Sequence, residues 1–322
     1  MRISLFLILT ALTGLLACEQ IVEEPLPPHT PRLVVFAFWE AGQPLDAYVS
    51  RSYGALEDLT AEEVLIRDAT VSLEIDGQPI PLTYRDTTYE PWPGFGQTFY
   101  TGKYEAERDA EADKIYTLRV SHPDYESVQA TAVVPRPPVV RRAWIERDVF
   151  RTVDPLGNDQ GSQSLLHVEV EDPAGVGDYY EVRDVDLWYE YPGFRPGLQR
   201  ETLYVPGEAV IASEGGYAPG SRAIPDTDFD GQSGTLTFLI SLPSAYDEPA
   251  MQDSLVIQSL VMTVRTFGAT YAGYLEKLDL QRETQNGGLN FFPAEAVVVP
   301  SNVEDGYGIV AGISAHRDSF PQ

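Results

Sequence analysis

Apolar and polar residues alternate with period two along much of the chain. Val71, Leu73 and Ile75 face one way, and Ser72, Glu74 and Asp76 the other. Tyr116, Leu118 and Val120 alternate with Thr117 and Arg119 in the same manner. Asp76-Gly77 closes the first of these runs with the residues a tight hairpin requires. Comparable runs at 33–36, 47–50, 98–104 and 128–134 bring the block 32–135 to about seven short strands, the pattern of an immunoglobulin- or fibronectin-like β-sandwich. One insertion departs from it. Thr60-Ala61-Glu62-Glu63 has capping-box spacing ahead of Val64-Leu65 and predicts one or two helical turns.

Pro135-Arg136-Pro137-Pro138 cannot continue a ladder, so it marks a domain boundary. The second block, 139–322, is again mostly strand, with candidates at 165–170, 179–189, 201–205, 235–241, 254–266, 296–299 and 308–313. Tyr271, Tyr274, Leu275 and Leu278 break the alternation with i, i+3, i+4, i+7 spacing, which predicts an amphipathic helix near 271–284. Asn286-Gly287-Gly288 ends it with residues suited to a left-handed cap. The expected fold class is therefore mainly β: an N-terminal sandwich, then a second β-sandwich-like domain carrying one amphipathic helix.

The first residues obey a different rule. Residues 1–17 place Arg2 before an apolar run from Ile3 to Leu16. At 1.5 Å per residue that run spans about 21 Å, short of a hydrocarbon core of about 30 Å, so it reads as a secretory signal and not as a membrane span. It ends in Leu15-Leu16-Ala17-Cys18, and Cys18 is the chain's one cysteine. This resembles a bacterial lipobox, in which the cysteine carries a thioether-linked lipid and becomes the acylated N-terminus. Residues 18–31 follow as an acidic, proline-rich tether with Pro25, Pro27, Pro28 and Pro31, biased toward polyproline II.

Charge narrows the partners. The chain has 22 Lys plus Arg against 49 Asp plus Glu, a net charge of -27. A polyanion of that size argues against nucleic-acid binding. A single cysteine allows no intrachain disulfide.

Candidate chemistry is sparse. His29, His122, His167 and His316 are widely separated and show no zinc-ligand spacing. Asp226, Asp228 and Asp230, followed by Gly231, resemble the first half of a calcium loop, but position twelve is Thr237 and cannot supply a bidentate carboxylate. An Asp-rich turn bonding its own backbone amides is the competing reading, and no cofactor is expected beyond the covalent lipid. Trp92-Pro93-Gly94-Phe95 and Tyr191-Pro192-Gly193-Phe194 share a Pro-Gly turn flanked by aromatics, the second beside Arg195. Trp92, Phe95, Tyr191, Phe194 and Arg195 are the candidate contact residues for a sugar face or a protein pocket, unless the rings fold back into their own sandwiches. A hydrolase would need two carboxylates about 5–10 Å apart, one with a raised pKa.

The motifs together resemble one family of Bacteroidota lipoproteins, domain of unknown function 4249. The resemblance rests on Cys18, Arg32-Leu33-Val34-Val35, Asp68-Ala69-Thr70-Val71, Tyr116-Thr117-Leu118-Arg119-Val120, Val134-Pro135, Asp172-Pro173 with Tyr179-Tyr180, and Phe229-Asp230-Gly231. It continues through Tyr271 with Tyr274-Leu275, Pro300-Ser301-Asn302-Val303 and Gly306-Tyr307-Gly308-Ile309. It implies no known activity. It implies a protein held in outer-membrane lipid, on the surface or the periplasmic face, next to a TonB-dependent transporter. The expectation is a non-enzymatic accessory or binding component, with a surface glycan-binding lipoprotein as the alternative.

Overall fold

The structure is a computed structural model. It describes residues 29–54, 57–89, 99–153, 159–175, 177–191, 195–203, 205, 210–213, 216–219, 223–243, 255–286 and 297–322. Strands dominate, as the alternation predicts.

The first sandwich is built from β1 (Leu33–Glu40), β2 (Pro44–Arg51), β3 (Thr70–Ile75), β4 (Gln78–Tyr89), β5 (Phe99–Asp109), β6 (Lys114–His122) and β7 (Tyr125–Val134). β4 changes partners half-way: Gln78–Leu82 pair with β3, and Thr83–Tyr89 pair with β5. This bend lays β3, β6 and β7 over β1, β2 and β5. The inward positions are those the period-two pattern selects: Val71, Leu73, Ile75, Tyr116, Leu118 and Val120 are all buried. Trp39 is fully buried at the centre; its Nε1 donates to the Asp46 carbonyl at 2.9 Å, and its ring meets Tyr116 at 5.4 Å. Asp76 and Gly77 both take positive φ at the β3–β4 turn. The short helix α1 (Ala61–Val64) starts on the expected capping box, with Glu63 N donating to Thr60 Oγ1 at 3.3 Å and Thr60 N to Glu63 Oε2 at 2.8 Å.

Residues 135–138 form no ladder. After them come β8 (Val139–Val153), β9 (Asp159–Glu171), β10 (Asp178–Tyr191), β11 (Arg195–Thr202), the ribbon β12 (Val210–Ser213) and β13 (Gly216–Pro219), β14 (Ile224–Pro225), β15 (Ser233–Ile240), β16 (Val256–Gly268), helix α2 (Ala269–Asn286) and β17 (Tyr307–Pro321). β8, β9 and β15 make a three-stranded sheet. Its inward residues Leu166, Val168, Val170, Leu236 and Phe238 pack on Val185, Leu187, Leu260, Met262 and Val264 of β10 and β16. This is the second sandwich. α2 covers the outer face of β10, β16 and β17, burying Ala272 and Leu275 against Phe267 and Ile313. Residues 297–300 are irregular instead of the expected strand: Val298 is 83% exposed, no strand among the described residues pairs with it, and Pro300 removes a donor.

β17 belongs to both sandwiches. Its first half runs parallel to β1, from Val34–Tyr307 to Glu40–Ile313, and its second half runs antiparallel to β16, from Phe267–Ile313 to Ser259–Pro321. One twelve-stranded sheet therefore spans both halves. Val303 and Val310 complete the first core, although they lie about 170 residues beyond the rest of it. Asn302 prepares this return: its Nδ2 donates to the Val310 carbonyl at 2.8 Å and its Oδ1 accepts from Val310 N at 2.9 Å. No described helix is long and apolar enough to cross a membrane.

Candidate functional site

At one end of the second sandwich two turns meet. The first leaves β9 at Asp172-Pro173, where proline stops the ladder, and enters β10 at Asp178. Gly175 and Gly177 take φ of 142° and 122° there, which side chains would resist. The second turn is a single 3-10 turn, Asp226–Asp228, closed by Gly231 at φ 68° before β15 begins. Asp172 N donates to the Gln232 carbonyl at 3.0 Å and brings the turns together.

Carboxylates hold the junction. Asp172 Oδ1 accepts from the Tyr180 hydroxyl at 2.5 Å, and Asp172 Oδ2 accepts from Gly231 N at 2.9 Å. Asp226 Oδ2 accepts from both Gly177 N and Asp178 N at 3.1 Å. Asp230 Oδ1 accepts from Gly175 N at 2.8 Å. Asp172 and Asp226 are buried, and one carboxylate oxygen from each of Asp172, Asp226 and Asp230 lies within 4.8 Å of the other two. Phe229 closes the junction against the Tyr180 ring at 5.7 Å.

So much negative charge acts on its neighbours. Burial, then the Asp172, Asp226 and Asp230 carboxylates, push the Asp178 carboxyl up to about 6. Burial and the bond to Asp172 push the Tyr180 phenol above its ordinary range. Chemically the arrangement can do two things. It ties two loops into one rigid corner through amide donors, and its three carboxylates have the oxygen chemistry of a hard cation such as Ca2+.

The sequence-predicted acidic trio is only partly brought together. Asp226 and Asp230 meet here, whereas Asp228 is exposed and stands apart from the group. Asp172 and Asp178 take its place from a turn about 50 residues earlier, and no local spacing signals that. Tyr191 requires a correction as a contact residue. It is 4% exposed, its hydroxyl donates to the Pro243 carbonyl at 2.7 Å, and its ring meets Tyr189 edge-on at 5.6 Å. As an inward position of β10 it fills the core, which is the folded-back alternative for that loop. Cys18, Trp92, Phe95 and Phe194 lie outside the described residues, and so does the side chain of Arg195, which opens β11.

Asp172-Pro173, Tyr179-Tyr180 and Phe229-Asp230-Gly231 thus converge on one corner, and Asn302, Gly306 and Gly308 on one strand crossing. These are the motifs that carried the resemblance, and over residues 19–319 the chain matches the family model described as domain of unknown function (DUF4249). The chain belongs to the DUF4249 family. A search of curated proteins gives no match. In this DUF4249 chain the Gly-Tyr-Gly motif has a steric cause. A Cβ at Gly306 would stand 2.8 Å from the Leu33 carbonyl oxygen, and one at Gly308, where φ is 114°, would overlap the Val35 carbonyl oxygen. Glycine lets β17 enter beside β1 at backbone distance.

Proposed function

We propose that the protein is a non-catalytic outer-membrane lipoprotein that presents a binding surface beside a TonB-dependent transporter. The observation that carries this reading is Cys18, the chain's one cysteine, standing where an apolar run ends in Leu15-Leu16-Ala17. Acyl chains attached there contribute about 0.8 kcal/mol per buried CH2, and two or three chains give stable anchoring. The proline-rich tether supplies reach. Because β17 is shared, whatever either sandwich binds is carried by one continuous sheet. The transporter partnership rests on the family resemblance. Cys18→Ser tests the anchor: the wild type takes up radiolabelled palmitate and sediments with outer membranes, and the variant does neither. Unlabelled wild-type protein in the soluble fraction would sink the reading. Whole-cell crosslinking with mass spectrometry tests the partner.

One observation favours a second reading, glycoside hydrolysis. Asp178, held near 6 beside other carboxylates, has the protonation behaviour of a general acid. That chemistry needs a second carboxylate facing the substrate. Asp172 and Asp226 are buried, and they and half-buried Asp230 are all bonded to backbone amides of the two turns, Asp172 also to Tyr180, which turns them toward the protein. Binding is therefore the preferred reading. Release of reducing sugar by the wild type, lost in Asp178→Asn, would reverse that preference.

A further inference from the structure

The outer face of β10, β16 and β17, beyond the part covered by α2, concentrates arginine in a chain of net charge -27. The ladder sets the positions. Arg183 stands opposite Thr263, and Thr263 opposite Arg317, so the two arginines flank one threonine on the same face. One row further, Asp186 Oδ2 accepts from Arg200 at 2.8 Å and from Arg317 at 3.2 Å, while Asp186 Oδ1 accepts from Thr202 Oγ1 at 2.7 Å. One buried carboxylate thus holds two guanidinium groups whose side chains are 55% and 50% exposed. The hydrogen bonds and both arginines hold the Asp186 carboxyl below its usual range against the opposing effect of burial. Arg183 is exposed and, among the described residues, has no ion-pair or hydrogen-bond partner. Arg265 spends its charge on the buried Glu181 at 3.2 Å. With Asp184, which turns at φ 51° in the β10 bulge, and Glu190, two residues beyond Trp188, both counted, four arginines stand against four carboxylates on this face, in a chain where acidic residues outnumber basic ones 49 to 22.

We infer that this face binds an anionic saccharide, a sugar chain bearing carboxylate or sulfate groups. Three features select that ligand. Arg183, Arg200 and Arg317 present guanidinium forks, which match carboxylate and sulfate oxygens in planar, bidentate geometry. Half-buried Trp188, opposite Arg200, adds an apolar ring of the kind that packs on a sugar face. The backbone of β10 and β16 is already paired on both sides, so the centre of the face, where Arg183 stands, offers a ligand side chains only, and a ladder could be extended only at the flanking edge of β11 or beyond Ile313 of β17. At physiological salt the screening length is about 8 Å, so the acidic remainder of the molecule is largely hidden from a ligand seated on the patch. The inference gives a ligand class to the binding role proposed above and rests on that role, but not on the lipid anchor.

The test is affinity electrophoresis of the purified full-length protein in detergent, through gels containing polygalacturonate, dextran sulfate or neutral dextran, with poly-glutamate in parallel. Retardation by at least one charged polysaccharide and not by dextran is expected, weakening as NaCl rises from about 0.05 to about 0.5 M. Arg183→Gln removes an unpartnered, exposed charge, so it folds as the wild type does by circular dichroism, and should lose affinity about tenfold. Arg119→Gln, on the first sandwich, should bind as the wild type does. The relative retardation by the two charged polymers identifies carboxylate or sulfate as the preferred group. Equal binding by Arg183→Gln, equal retardation by dextran, no retardation by either charged polymer, or retardation by poly-glutamate alone would each overturn the inference. Binding by a chain that proves to carry no lipid would leave this face standing and remove the membrane placement; lipidated protein indifferent to both charged polymers would do the reverse.

Discussion

Gly312 lies against the backbone of Val133: a Cβ at 312 would overlap the Val133 carbonyl oxygen and stand 2.6 Å from the Val134 Cα. Here β7 crosses β17 with backbone on backbone. Two residues on, Ser314 Oγ donates to the Pro135 carbonyl at 2.6 Å, so the end of the first block is fastened to the last strand of the chain. The crossing is where the two sandwiches become one body.

Gly312→Ala should therefore destabilise the protein by about 2–3 kcal/mol, because the strands must separate to admit one methyl group. Urea unfolding followed by tryptophan fluorescence measures this. A loss below about 0.5 kcal/mol would mean that β17 slides freely past β7.

Asn302→Ala removes the two hydrogen bonds to Val310 and a longer one from Nδ2 to the Thr131 carbonyl at 3.5 Å, and leaves the Val310 amide and carbonyl without their side-chain partner. A cost of about 2 kcal/mol is expected, read from the same unfolding curves. Because Val310 is buried in the first core, amide exchange at Val310 should accelerate in the variant.

Asp178→Asn should stabilise the protein at pH 7. The Asp178 carboxyl is raised from 3.8 to about 6, so its contribution to stability is full below pH 4 and is lost as pH rises through 6. Asparagine escapes that loss. The gain should be about 1 kcal/mol above pH 6, once solvent screening of a partly exposed group is discounted, and should vanish below pH 4. A gain independent of pH would show that the charge of Asp178 is not its cause.

Tyr180→Phe keeps the ring against Phe229 but removes the hydroxyl donor to buried Asp172. A loss of about 1–3 kcal/mol at pH 7 is expected from thermal or urea unfolding. Tyr180→Phe together with Asp172→Asn should lose less than the two single changes combined, since both act on one bond.

The individual strands were legible because burial on one face forces alternation, and a capping box or an Asp-Gly turn acts within four residues. Val71 to Ile75, Thr60 with Glu63, and Asp76-Gly77 all stand as the pattern predicts. Long strands that carry other signals were less legible. β4 contains Pro79 and Pro81, and β8 follows a proline cluster directly, so both escape a reading based on alternation and breakers. The carboxylate corner was half visible: Asp226 and Asp230 stand five residues and one residue before Gly231 in the same turn, whereas Asp172 and Asp178 reach it only through the pairing of β9 with β15.

By itself the sequence determined the β class, the helix near 271–284 and the family, since each depends on short-range periodicity or on ordered motifs. Tertiary structure decided which strand completes which core, which aspartates share a corner and which arginines share a face. Those pairings join residues far apart in the chain, and their energies arise only when the backbone brings the groups within hydrogen-bond or van der Waals reach. Nothing in the local order of residues encodes that β17 leaves the second sandwich to lie beside β1; the glycines at 306, 308 and 312 permit it, and the cores on either side require it.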